Sequence, residues 1–217
     1  RLIVDEPFAS SYRPDTPATG CVWDALAAPV LALPPRRRRR MLVLGLGGGS
    51  VARILRHLAP EAEIVGVELD PEVIAQARKH FDLDALGLEI RSEDALEVLH
   101  REKRRFDYIV EDVFIGRGDA VHKPGWLPLP GLHLAAARLA RGGLLVSNAL
   151  DEAPSVAAEL GGRFPGLLRI EVEDYDNRVF VAGPRGLDAR ALRGAVASDA
   201  VLGAVSYTHL RAHETRH

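Results

Sequence analysis

Met41-Leu-Val-Leu-Gly-Leu-Gly-Gly-Gly-Ser50 decides the fold: an apolar strand runs straight into a glycine-rich turn. After one helix-length comes Ile64-Val-Gly-Val-Glu-Leu-Asp-Pro71, a second strand ending on the carboxylate of Glu68, 21 residues beyond Gly47. In a βαβ unit this layout makes a pocket for an adenosine-type ligand. Glycines let the backbone come close to the ligand, and the distant acid accepts hydrogen bonds from ribose hydroxyls. The bare alternative is a tight strand–helix turn followed by a solvated strand end.

Working outward, apolar strands alternate with amphipathic helices. Val51, Ile54, Leu55 and Leu58 fall at i, i+3, i+4 and i+7, which predicts a helix after the turn. Asp70-Pro71-Glu72 is a helix start: aspartate caps, proline takes the first helical position, and glutamate favours the positive end. Strands are expected at about 41–44, 63–68, 88–91, 106–111 and 144–147, with helices over 95–99, around 132–139 and around 154–164. Two last strands, 168–173 and 178–182, are joined by Asp174–Asn177, too short for a crossover, so this hairpin is antiparallel. Upstream, 21–33 reads as a helix broken near Pro29. The fold class is α/β: a Rossmann-like, mostly parallel seven-stranded sheet with a C-terminal antiparallel hairpin and helices on both faces. Right-handed crossovers put all parallel strand ends on one edge. Gly47, Glu68, Asp94 and Asp112 each follow such an end, so one edge collects them. Asp94 also reads as the N-cap of the helix after it, and Asp112 as a turn former.

The 217 residues suit one domain, and 47% hydrophobic, 27% charged composition with net charge −2 gives no reason to expect nucleic acid. The single cysteine, Cys21, excludes an intrachain disulfide framework and fits a reducing compartment, so the expected location is cytoplasmic. No apolar run reaches the ~20 residues of a membrane span, and no membrane contact is expected in this fragment. The histidines lack metal-ligand spacing, so no metal is expected. Arg36–Arg40, five consecutive arginines without interleaved aromatics, reads as a solvated linker. The chain begins at Arg1, so its natural N-terminus is expected to be missing. Residues 1–35 read as the remnant of an N-terminal β segment plus a helix, and 36–205 as the nucleoside-binding catalytic domain. Residues 206–217 hold three of the eight histidines and no periodicity, and resemble translated read-through of a sequencing adapter. His209 and His213 stand at i, i+4, but this tail is set aside as extraneous.

The motifs Val-Leu-Gly-Leu-Gly-Gly-Gly (43–49), Val-Glu-Leu-Asp-Pro (67–71), Glu93-Asp94-Ala95, Phe106-Asp-Tyr-Ile-Val-Glu-Asp-Val-Phe114 and Gly142-Gly-Leu-Leu-Val146 resemble those of spermidine synthase-like proteins. These are a branch of the S-adenosylmethionine-dependent methyltransferase superfamily, with a class I methyltransferase fold. The resemblance implies that Gly45, Gly47 and Gly49 line the nucleoside site and Glu68 holds the ribose. It implies further that Asp94 and the Ala95 backbone contact adenine, and that Asp112 takes a proton from an attacking amine. The co-substrate would be S-adenosylmethionine or its decarboxylated form, and the partner a small acceptor, an amine by resemblance. Family members often dimerise, so a homodimer is within expectation. Departures are equally informative. Ser50 stands where synthases carry an amine-binding aspartate, Ile115 replaces a second aspartate, and Val22-Trp23-Asp24 stands for Tyr-His-Glu. Polyamines need several carboxylates to offset amine desolvation, so the nucleoside half looks intact and the amine half altered. A catalytically silent nucleoside-binding module and an NAD-dependent oxidoreductase remain as alternatives, although Ser50 spoils the third glycine of a dinucleotide fingerprint.

Overall fold

The glycine-turn strand lies inside the sheet, flanked on both sides by parallel neighbours. The computed structural model describes residues 2–3, 8–116, 120–206 and 210–214. Its strands are β1 (Leu2–Ile3), β2 (Phe8–Ser10), β3 (Arg40–Leu44), β4 (Glu63–Glu68), β5 (Glu89–Ser92), β6 (Phe106–Glu111), β7 (Leu139–Ala149), β8 (Gly166–Val172), β9 (Arg178–Gly183) and β10 (Leu210–Glu214). The α-helices are α1 (Val22–Ala27), α2 (Ser50–Leu58), α3 (Pro71–His80), α4 (Ala95–Arg101), α5 (Gly131–Ala137), α6 (Ala153–Arg163), α7 (Ala189–Ser198) and α8 (Leu202–Ser206). The main sheet has the order β10-β8-β9-β7-β6-β3-β4-β5. β7-β6-β3-β4-β5 are parallel, and β9, β8 and β10 continue antiparallel. The seven expected strands and the antiparallel hairpin are all present. β1 and β2 pair separately.

Alternation along the strands builds two cores. Met41, Val43, Tyr108 and Val110 face α1, α2, α7 and α8. Leu42, Leu44, Ile109 and Leu145 face α4, α5 and α6. Burial on both faces is why the parallel strands read as continuous apolar runs. Tyr108, fully buried, donates its hydroxyl to the Leu26 carbonyl at 2.6 Å and so ties α1 to the sheet.

Local signals placed most elements. Asp70 accepts the Glu72 amide at 2.8 Å, and Asp94 accepts those of Leu96 and Glu97 at 2.7 and 3.2 Å. The break near Pro29 is real: α1 passes into a 3₁₀ turn over Ala28–Ala32. The arginine run is mostly structural. Arg38 donates to the carbonyls of Leu33 and Leu31, Arg37 to that of Arg141, and Arg40 pairs with Glu63 at 2.8 Å.

Three expectations need correcting. β7 begins at Leu139, not Leu144: Phe106 pairs with Leu139 and Tyr108 with Leu144, so Gly142-Gly143 is a bulge within the strand. The hairpin is not the last element, because α7 and α8 follow it and bury Leu192, Val196 and Leu202. The stretch read as aperiodic tail contributes β10, in register with β8 from Leu210↔Val172 to Glu214↔Leu168. His209, Gly118 and Val4 lie outside the described residues. No helix among the described residues is long and apolar enough to cross a membrane.

Candidate functional site

The C-terminal edge of the parallel strands is where the expected groups gather. The Asp112 amide donates to the Leu44 carbonyl at 2.9 Å, those of Gly45 and Leu46 donate to Val67 at 3.0 and 2.9 Å, and that of Glu93 donates to Glu68 at 3.1 Å. The ends of β6, β3, β4 and β5 therefore sit side by side, three strand intervals or about 14 Å across. Strand order reverses between β3 and β6, the crevice where ligands of such sheets bind.

The bend is shaped largely by the protein itself. Gly45 has φ +82°, and a β-carbon there would run into the carbonyl oxygen of Asp112. Gly49, at φ +85°, would strike Leu83. Every amide of the bend already has an acceptor. Beyond those of Gly45 and Leu46, Gly47 donates to Glu68 Oε2 at 2.8 Å, Gly48 to Ser10 Oγ at 2.6 Å, and Gly49 to the Leu46 carbonyl at 2.9 Å. No N–H of 45–49 is left to cradle a phosphate.

Glu68 thus turns its carboxylate into the bend. Its Oε1 takes the Asp70 amide at 3.2 Å. A carboxylate has about four lone-pair sites, so about two remain for hydroxyl donors. Asp94 spends Oδ1 on its cap, while Oδ2 has no partner among the described residues; Ala95 starts α4 beside it.

Asp112 is half-buried at the end of β6. Asn148 Nδ2 donates to its Oδ1 at 2.7 Å, and the Trp23 side chain donates to it as well. Burial pushes its carboxyl up to about 6, against the opposing pull of Asn148, Lys123 and Trp23. Asn148 Oδ1 in turn accepts from Asn177 Nδ2 at 2.9 Å.

Next to it lies an ion pair that the sequence reading missed. Lys123 Nζ meets Glu111 Oε1 at 2.6 Å, with both side chains 1% exposed. Ser147 donates to Glu111 Oε2 at 2.6 Å, the Val113 amide donates to Oε1 at 2.9 Å, and Lys123 lies 4.0 Å from the centre of the Phe114 ring. The pair clamps the start of the loop after Asp112 to the sheet. Glu111 as the last residue of an otherwise buried strand was the available signal; its partner twelve residues on was not.

The positions that depart from the synthase pattern are occupied by protein contacts. Ser50 Oγ accepts the Ser11 amide and donates to the Ser11 carbonyl, both at 2.9 Å. Asp24 accepts from the Thr19 amide and hydroxyl and the Gly20 amide. Ile115 is 43% exposed and forms a bridge with His122. Trp126 packs against the core formed with α5. Among the described residues no three His, Cys, Asp or Glu side chains come together to hold a metal ion. A hollow of about 840 Å³ opens on the opposite sheet edge between Arg38–Arg40, Pro60–Glu63 and Asp107. Its Glu63 and Asp107 are already paired with Arg40 and Arg37, and none of the convergent groups reaches it.

Residues 41–119 match the family described as methyltransferase domain. A probable polyamine aminopropyl transferase of Bifidobacterium longum is 34% identical over 101 residues, 46% of this chain and 22% of that protein. The chain therefore matches only about a fifth of that relative's length. Among solved structures, a probable spermidine synthase from Corynebacterium glutamicum superposes with TM-score 0.68 at 23% identity, covering 88% of this chain and 73% of that one. Human methyltransferase-like protein 13, in complex with SAH, gives 0.63 at 22% identity, covering 87% and 88%. The fold is therefore the one that these spermidine synthase and methyltransferase structures share, and residues 41–119 are similar to the methyltransferase domain.

Proposed function

We propose that the chain is a transferase that binds S-adenosylmethionine or its decarboxylated form and passes a methyl or aminopropyl group to a small acceptor through a nucleophilic nitrogen. The observation that carries this reading is the convergence of Glu68, Asp94 and Asp112 around one glycine bend, over a span that suits an adenosyl group and its sulfonium arm. Human methyltransferase-like protein 13 has the same fold and holds SAH, the demethylated counterpart of such a donor. Glu68 would take the ribose hydroxyls on its remaining acceptor sites. Asp94 Oδ2 and the Ala95 amide would meet the adenine, while Gly45, Gly47 and Gly49 allow close approach. The bound sulfonium supplies an activated leaving group, so the protein's task is chiefly proximity and orientation. Asp112, poised near neutrality, would accept the proton released by the acceptor nitrogen.

The acids at this edge also bear on the acceptor. Asp24, Glu68, Asp70, Asp94 and Glu111 each already accept from the protein's own donors. Asp112, held by the uncharged donors Asn148 and Trp23, is the one carboxylate proposed to meet the acceptor, enough for a single basic nitrogen but poor for a polycation.

Isothermal titration with S-adenosylmethionine, decarboxylated S-adenosylmethionine, methylthioadenosine and NAD tests the reading. Binding of an adenosyl sulfonium or thioether, weakened about tenfold to hundredfold in Glu68→Gln, is expected. Heat from NAD alone would overturn it. The occupied positions Ser50 and Asp24 favour a second reading, a nucleoside-binding module without turnover. Tight binding with no product from any amine would select that one.

A further inference from the structure

The residues around Asp112 form a chain of amides with a fixed direction. Asn177 lies in the turn before β9, Asn148 near the end of β7, Asp112 after β6 and Trp23 in α1. Asn177 Nδ2 donates to Asn148 Oδ1 at 2.9 Å, and Asn148 Nδ2 donates to Asp112 Oδ1 at 2.7 Å. A side-chain amide has one acceptor end and one donor end. With its oxygen taken by Asn177, Asn148 can present only N–H to Asp112. Trp23 offers an indole N–H, which donates and never accepts. The Asp112 carboxylate is therefore held between two groups that cannot reverse polarity.

We infer that Asn148 and Asn177 are positioning residues: Asn177 locks the Asn148 amide so that Asp112 is kept as a hydrogen-bond acceptor, aimed and ready to take a proton. The inference deepens the proton-accepting role proposed for Asp112 and rests on that reading. The charged groups that act on the carboxylate are Glu111, from the preceding strand, and Lys123, from the loop that follows. They neutralise each other across 2.6 Å. That leaves the uncharged donors to decide orientation. Asn148 is buried, whereas Asn177 is half-exposed in a turn, so the Asn177 variants report on the relay without opening the core.

The chain has two tryptophans, so the Trp23 indole signal is readily told from that of Trp126 in a ¹⁵N–¹H spectrum. Its pH titration follows Asp112 directly and vanishes in Asp112→Asn. In the unaltered protein the midpoint is expected near 6. Asn148→Leu removes a donor and raises it by about one pH unit. Asn177→Ala frees the Asn148 amide to rotate and raises it by a smaller amount. Asn177→Asp accepts rather than donates, turns the Asn148 oxygen toward Asp112, and raises it most among the Asn177 variants. A rise in Asn177→Ala smaller than that in Asn148→Leu, with the fold unchanged by circular dichroism, supports the relay, since a merely structural turn residue would leave the midpoint in place. The Asn177→Asp rise includes the repulsion of its added charge and sets only an upper bound. A midpoint unmoved in Asn177→Ala overturns it, whatever Asn177→Asp does. Titration calorimetry with S-adenosylmethionine on the same samples keeps the two failures apart. Lost ligand binding with an intact ranking sinks the transferase reading alone, and intact binding with no ranking sinks the relay alone.

Discussion

Replacing Asp112 with asparagine should make the protein more stable and less active, with the gain in stability growing with pH. The carboxyl rises from an ordinary 3.8 to about 6 because burial disfavours its charged form. A carboxyl raised in the fold favours folding while it is protonated. That contribution is whole below pH 3.8 and is lost as the pH climbs through about 6. The difference is a little over two pH units, which at 1.36 kcal/mol each comes to about 3 kcal/mol. Asparagine mimics the neutral acid but has one acceptor oxygen for two donors, Asn148 and Trp23. The value is therefore a ceiling, and a gain of about 1–3 kcal/mol above pH 7 is expected. Urea unfolding of both proteins at pH 4, 5.5, 7 and 8.5 measures it. The two curves should nearly coincide at pH 4 and separate through pH 6, with turnover in the variant down by ~10²–10⁴-fold once an acceptor is in hand. A difference that stays flat with pH, or a variant less stable at pH 8.5, would refute the assignment of a strained, half-buried carboxylate.

The buried pair behind it behaves in the opposite sense. Lys123→Met leaves Glu111 charged and unpaired, which should cost about 3–5 kcal/mol by urea unfolding, whereas adding Glu111→Gln should restore stability to within about 1 kcal/mol. A double variant as unstable as the single one would show that the loop clamp, not charge pairing, is what matters. At the far edge of the sheet, hydrogen bonding to Arg104 holds the buried Glu102 carboxyl down from 4.5 to about 2. That stabilisation, about 3 kcal/mol, is present above pH 4.5 and lost as pH falls toward 2. Glu102→Gln should remove it at pH 7 but change little at pH 2, read as the shift in thermal midpoint at each pH.

Where local chemistry decides a structure, the sequence could be read directly. Asp70-Pro71-Glu72 starts a helix because cap, proline and acid act within four residues, and α3 begins at Pro71 as expected. Glu63–Glu68 was legible as a strand, since three of its four central residues, Ile64, Val65 and Val67, are β-branched and apolar. Gly142-Gly143 misled because two glycines signal a turn as readily as a bulge, and only pairing with β6 tells them apart. α7 escaped because its buried stripe is just Ala189, Leu192 and Val196, spread among arginines and alanines. The site divided along the same line. Gly47, Glu68, Asp94 and Asp112 follow strand ends, and topology alone brings strand ends together. The contacts of Lys123 with Glu111, of Asn177 with Asn148 and of Ser11 with Ser50 join segments 12, 29 and 39 residues apart, and depend on packing that no local pattern encodes.

Fold likeness by itself leaves the nucleotide class open, since strand–glycine turn–helix units hold dinucleotides as well as adenosyl sulfoniums. The hydrogen bonds of the bend separate the two. A pyrophosphate needs free backbone N–H groups at the turn, where it gains charge-assisted bonds. Here each amide from Gly45 to Gly49 already has an acceptor, two of them the side chains of Glu68 and Ser10. For a phosphate to use the Gly47 amide, that amide would have to give up Glu68, and the released carboxylate would then repel the incoming anion across the same bend. An adenosyl sulfonium makes no such demand: it needs ribose acceptors, a close apolar approach and no anion hole. The proposed ribose role of Glu68 would use the same contact: the bond from Gly47 that discourages a phosphate at the bend also holds the carboxylate toward it.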